Sequence, residues 1–316
     1  MLDYLAQGGP LHLKHGGGVD VNCCQSNVLP VHPSLAFIFH YVVATSLIFY
    51  AHDTFFSDAI HPATTTNDET TIQRQTYISK FFFIYTLVLF TTRYLSSYHA
   101  GRLRHYSVLY ELTWCCNFTL VMGCITFCGG NSTSWLFRRR PLVATSCCVA
   151  VSIDQILWYV DILVWLTTGK FAVGVIKYLT WKQTLWIDRI TCTHHLWCIP
   201  LILYGANTPL DFNSVQLSAF IVIINVLLSR WLTPHCLQSG TKTKDDEYKK
   251  DPKHYRYLNV NLSHELWQDI KLPFLQISKD NPSCYNYLFR LLWRWQLFNT
   301  LVYIAILCPL SKWIIS

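Results

Sequence analysis

Two adjacent imidazoles, His194 and His195, stand in the stretch "DRITCTHHLWCIPLILY", between Cys192 and Cys198, at the head of an otherwise apolar run. A pair of thiols, Cys115 and Cys116, lies in a second apolar stretch, "WCCNFTLVMGCITFC". Carboxylates are sparse and also fall inside apolar segments: Glu111, Asp154, Asp161 and Asp188. Arg290, Arg294 and Gln296 open the last apolar run. A thiol becomes a nucleophile when a neighbouring base takes its proton, and histidine is the usual base. A carboxylate can orient the imidazole as the third member of a triad. These residue types allow a Cys–His pair drawn from Cys115 or Cys116 and from His194 or His195, with Asp161 or Glu111 behind the ring. The structural alternative is a polar network in which Asp154 or Asp161 pairs with Arg290 or Arg294 and a histidine bonds a backbone carbonyl.

Cys192, His194 or His195, and Cys198 also have spacings that share a helical face. Zinc sites more commonly join two compact pairs such as CxxC and HxxxH. Neither pair occurs, so no metal and no other cofactor is expected. No P-loop, GxSxG elbow or dinucleotide fingerprint is present.

The segments that carry these residues read as membrane helices. The chain has 316 residues, 52% of them hydrophobic and 14% charged, against about 25% charged in a soluble domain. The formal charge of +7 suits basic loops at anionic lipid. No basic run is interleaved with aromatics, so nucleic acid is not an expected partner. Nine of the thirteen cysteines lie in apolar segments, which excludes a secreted disulfide framework.

A spanning helix needs about 20 mostly apolar residues. Seven stretches are candidates: Leu35–Phe56, Tyr77–Ser96, Val108–Cys128, Pro141–Thr167, Ile190–Tyr204, Val215–Leu232 and Tyr287–Leu310, the fifth being short and open to extension upstream by the aromatic-rich Tyr178–Ile187. The expected fold is all-α, a polytopic integral membrane bundle of about seven helices over residues 35–310. A segment 1–34 precedes it, a tail 311–316 follows it, and a cytosolic loop occupies 234–286. The Lys and Arg excess puts the N-terminus and this loop in the cytosol. The run Arg138 to Arg140 falls on the other side and goes against that bias.

The order of these motifs resembles the transmembrane protein 164 family. "WCCNFTLVMGCITF" places Cys116 where that family has its cysteine, and "THHLWCIPLILY" supplies a histidine, His194 or His195, and Pro200. The resemblance runs at most from Glu111 to Asn299. The chain departs from the pattern at Asn117, where the family has histidine, and in "GGNSTSWLFRRR", which looks inserted. "DRITCTHHLW" is also similar to the paired histidine of TLC-domain proteins, but the sixth apolar run lacks the acidic residues that domain would want.

The resemblance to the first family implies a seven-helix phospholipid acyltransferase that moves acyl chains without coenzyme A. Catalysis would fall to Cys116 with His194 or His195, and substrate binding to Arg290, Arg294 and Asp161, the arginines on a phosphate headgroup. Partners would be phospholipids and the membrane, and the compartment the endoplasmic reticulum or another endomembrane. The alternative expectation is a non-catalytic multi-pass protein, either a carrier or a structural subunit.

Overall fold

A computed structural model describes residues 32–56, 69–99, 108–128, 139–180, 186–233, 236–238, 255–257, 260–263, 277 and 284–315. Nearly all of them are helical. The helices are α1 (Pro33–Phe55), α2 (Glu69–His99), α3 (Val108–Glu111), α4 (Cys115–Cys128), α5 (Pro141–Ala150), α6 (Ser152–Thr168), α7 (Trp186–Thr191), α8 (His194–Ala206), α9 (Phe212–Leu232), α10 (Cys284–Val302) and α11 (Cys308–Ile315). A π turn, Tyr303–Leu307, joins α10 to α11 just ahead of Pro309, whose ring cannot continue a regular ladder. A short antiparallel ribbon pairs Cys236–Gln238 with Tyr255–Tyr257.

Four helical stretches are long and apolar enough to cross a membrane: Pro33–Phe55, Glu69–Ser96, Phe212–Leu232 and Tyr285–Ile314. The bent pair α5–α6 makes a fifth if it is one span. The two other expected spans are short. α4 has 14 residues and α8 has 13, so at 1.5 Å per residue each is only about 20 Å long.

Side-chain bonds show which helix ends lie together. Arg140 at the start of α5 grips Asp53 at the end of α1. Arg74 near the start of α2 donates to Asn207 at the end of α8. Leu210 N–H, just before α9, donates to Ser311 Oγ in α11. At the opposite end, Arg93 of α2 donates to Thr191 Oγ1, ahead of α8. α2 and α8 therefore run in opposite directions.

Arg140 is one residue of the anomalous arginine run that does not act as a loop charge. It is fully buried, lies 4.1 Å over the Phe49 ring and forms a two-pronged bond to the Asp53 carboxylate (3.2 and 2.9 Å). It is thus a paired charge inside the bundle and not a loop cation. Polar groups face inward elsewhere too: His40 of α1 meets Asn225 of α9 at 3.0 Å, with both residues buried. Large apolar residues such as Ile38, Val42, Ile84, Leu87 and Phe289 face outward. A surface of this kind suits hydrocarbon, where polar groups must be satisfied internally.

Helices approach closely where glycine permits. A Cβ on Gly205 of α8 would lie 2.9 Å from Ile78 Cδ1 of α2 and 3.1 Å from the Phe127 ring of α4. Gln75 of α2 donates to the Gly205 carbonyl there.

Candidate functional site

The fourth expected span is broken. α5 and α6 meet at Val151 with a bend of 53°. A bend opens the backbone ladder, and in a low-dielectric interior the freed groups need partners. Asn299 of α10 supplies them. Its Nδ2 donates to the Ala150 carbonyl at 2.9 Å, and its Oδ1 accepts from Ile153 N–H and Ser152 Oγ, each at 3.1 Å. Trp295 Nε1 donates to the same Ala150 carbonyl. The bend sets Asp154 and Gln155 at the head of α6, in the middle of the bundle.

α4 is capped by a residue distant in sequence. Val260–Leu262 is inserted between helices, and Asn261 stands in the left-handed region at φ 53°. Its Oδ1 accepts from Cys115 N–H at 2.7 Å, and its Nδ2 donates to the Thr113 carbonyl and Ser229 Oγ. This is an N-cap supplied in trans. Tyr287 Oη and Arg230 Nη1 donate to the Leu262 and Ser263 carbonyls and lock the insert in place. The described middle of the expected loop 234–286 is therefore part of the bundle's interior. The loop's charged stretch, 239–254, lies outside the described residues.

α8 starts after a break that follows Thr191. The Thr191 carbonyl accepts from Tyr85 Oη at 3.0 Å and faces His194 Nδ1 at 2.8 Å. Farther along, Pro200 has no N–H to give the Leu196 carbonyl, and Tyr159 Oη of α6 donates there instead at 2.8 Å. The proline thus ties α8 to α6 at the residue that follows His195.

These devices bring three side chains together. Cys116 Sγ and one ring nitrogen from each of His194 and His195 lie within 4.8 Å of one another. The His194 and His195 rings are 4.2 Å apart, and His195 stacks on Trp158 at 4.0 Å with an 8° tilt. Because the Thr191 carbonyl can only accept, it fixes the proton of neutral His194 on Nδ1 and leaves a lone pair on Nε2. Among the described residues that Nε2 has no hydrogen-bond partner, although His194 is only 3% exposed. His195 Nδ1 faces the Gln155 amide at 2.7 Å and Asp154 Oδ2 at 3.6 Å.

Beside the trio is a cavity of about 40 Å³, which has room for a few waters. Cys116 and Asp154 line it together with Asn225 and Asn261, and Trp114 and Trp295 give it an apolar side. Cys116 thus stands between the cavity and the imidazoles. Asp154, 29% exposed, faces the same space.

The expected site residues are placed unequally. Cys116, His194 and His195 converge. Asp161 does not join them: its carboxylate accepts from Val173, Gly174 and Ile176 N–H at 2.7, 2.8 and 3.3 Å and pins the turn after α6. A buried carboxylate with three backbone donors anchors the turn, and Asp161 is not among the residues that line the cavity. Asp154, seven residues earlier, is the carboxylate near His195. Arg290 and Arg294 lie on α10 and do not line the cavity; Arg294 Nη1 is buried and has no hydrogen-bond partner among the described residues. Glu111 enters through its carbonyl, which accepts from Asn117 Nδ2. Cys192 and Cys198 stand outside the trio, and Cys192 Sγ is bonded by Arg93.

Sequence reasoning missed Gln155, Asn261 and Asn299. Each is an uncharged amide whose partner lies far along the chain. The one local signal was Gln155, adjacent to Asp154 and three residues before Trp158. No family model, curated protein or solved structure matches this chain.

Proposed function

We propose that this protein is a membrane-embedded phospholipid acyltransferase that works without coenzyme A through Cys116 and His194. The observation that carries the reading is the approach of the Cys116 thiol and the two imidazoles within 4.8 Å. His194 is the base, because the Thr191 carbonyl leaves its Nε2 lone pair free. His195, held between Trp158 and Gln155, packs and positions it.

In the first half-reaction Nε2 takes the Sγ proton, and the thiolate attacks the ester carbonyl of a phospholipid. The lysophospholipid alkoxide leaves with the proton from the imidazolium, and the acyl group remains as a thioester on Cys116. In the second half-reaction Nε2 takes the hydroxyl proton of an acceptor lysophospholipid, whose oxygen attacks the thioester. The thiolate leaves and regains its proton. The cavity admits an ester group and not a whole chain, so the acyl tail extends beyond it between helices. Arg294, with its unpartnered Nη1, is the headgroup candidate.

The reading includes seven crossings, with α4 and α8 as short ones in a locally thinned or tilted setting. It places the protein in the endoplasmic reticulum or another endomembrane, where phospholipid remodelling supplies both substrates.

The test is acyl exchange between labelled phospholipid and lysophospholipid in membranes holding equal amounts of wild type, Cys116→Ala, Cys116→Ser and His194→Ala. The expected result is a hydroxylamine-sensitive acyl label on the wild type that all three variants lose. Exchange that survives Cys116→Ala at normal abundance overturns the reading. A loss of abundance alone returns these residues to a structural role.

A further inference from the structure

The geometry points to a zinc-type metal site built from Cys116, His194 and His195. The inference uses the same trio as the proposed reaction but does not depend on acyl transfer. Three protein donors are the usual set of an open zinc site, with a fourth position left for water or substrate. Tetrahedral coordination needs the donors about 3.4–3.6 Å apart, given bond lengths of about 2.0–2.3 Å. All three already lie within 4.8 Å, so small side-chain rotations close the set.

The surroundings fit a metal as well as the donors do. A ligating histidine needs its other ring nitrogen held by an acceptor. The Thr191 carbonyl does this for His194 at 2.8 Å. For His195 the Gln155 amide faces Nδ1 at 2.7 Å, and Asp154 stands behind at 3.6 Å. The two ends of an amide are interchangeable in placement. With Oε1 turned to the ring, Gln155 accepts from Nδ1–H and frees Nε2 for the ion. His194 Nε2, buried and without a hydrogen-bond partner among the described residues, points to a missing electron acceptor, and a cation is one.

Charge balances too. Binding releases the Sγ proton to water, so a doubly charged ion with one thiolate and two neutral imidazoles keeps one positive charge. The nearby Asp154 carboxylate cancels it, which a low-dielectric interior demands. Thiolate and imidazole together select zinc over magnesium or calcium. The ion and the acyl reaction need the same His194 lone pair, so the zinc-loaded form is silent in proton transfer.

The experiment measures metal content by mass spectrometry in the full chain, purified in detergent and dialysed after zinc loading. The expected result is about one zinc per chain in the wild type. Cys116→Ala and His194→Ala should lose it, and Cys128→Ala, altered at an exposed thiol at the far end of α4, should keep it. Cobalt loading of the wild type should give a thiolate-to-metal absorption band that Cys116→Ser removes, which tests the site without relying on how the alanine variants fold. Zinc-free wild type, or full zinc in Cys116→Ala and His194→Ala, overturns the site. Chelation should raise acyl exchange. Zinc binding with no exchange in either form leaves the site standing and ends the acyltransferase reading, whereas exchange in a protein that binds no zinc does the reverse.

Discussion

Asn299 of α10 bonds the Ala150 carbonyl at 2.9 Å and, through its other amide atom, Ile153 N–H at 3.1 Å, so one side chain splints both sides of the α5–α6 bend. Leucine has nearly the same size and neither bond. Trp295 Nε1 still bonds the Ala150 carbonyl, so the backbone group that loses its partner is the Ile153 N–H, and such a loss costs about 1–3 kcal/mol. Asn299→Leu should therefore lower stability by about 1–3 kcal/mol, read as a fall in melting temperature by fluorescence-detected gel filtration. A wild-type melt would mean that the bend is not held by Asn299.

Asp53 and Arg140 should behave as a coupled pair. Removing one partner of a buried ion pair costs about 3–5 kcal/mol, because the other charge is left without its counterion. Arg140 is fully buried while Asp53 is 24% exposed, so Arg140→Leu should be milder than Asp53→Leu. The double variant should be more stable than Asp53→Leu alone. A double-mutant cycle on melting temperature checks this, and additive effects would show that the pair does not interact.

The cap on α4 predicts an effect on a thiol. Asn261→Ala removes the acceptor from Cys115 N–H and should cost about 0.5–2 kcal/mol. It also loosens the first turn, which carries Cys116. Labelling of Cys116 by a small thiol reagent, in a background where the other cysteines are replaced, should speed up in Asn261→Ala. An unchanged rate would separate the cap from the site.

Gly205 offers a test of packing with its own rescue. Gly205→Ala places a methyl 2.9 Å from Ile78 Cδ1, and overpacking of this kind costs about 1–3 kcal/mol. Ile78→Val deletes that Cδ1 and should restore part of the loss. Because Phe127 also crowds the position at 3.1 Å, full recovery is not expected. No destabilisation in the single variant would show that the α2–α8 contact is slack.

Asp161→Ala should separate structure from chemistry. It deprives three N–H groups of their acceptor and should lower the melting temperature while leaving the proposed acyl exchange, measured per folded molecule, unchanged. A selective fall in exchange would return Asp161 to the site.

The helical class and the apolar segments were legible in the sequence, because burial in lipid writes itself as runs of about 20 apolar residues. Cys116, His194 and His195 were legible as types, since a thiol and paired imidazoles are unusual inside such runs. Their convergence was not: it needs α4 and α8 side by side, and three helices, α5, α6 and α7, lie between them in the chain. The choice between two aspartates was equally hidden. Asp154 and Asp161 are seven apart on one helix, and only the turn at 171–176, which takes up Asp161, and the bend at Val151 tell them apart. The sequence by itself determined which segments avoid water and which residues could do chemistry, since both are properties of single residues and local runs. Tertiary structure alone decided where the fourth segment breaks, which amides mend it and cap α4, and which carboxylate faces the thiol. The mended break and the cap depend on hydrogen-bond partners more than a hundred residues away, and the choice of carboxylate depends on how the turn 12 to 15 residues after Asp161 folds back on it.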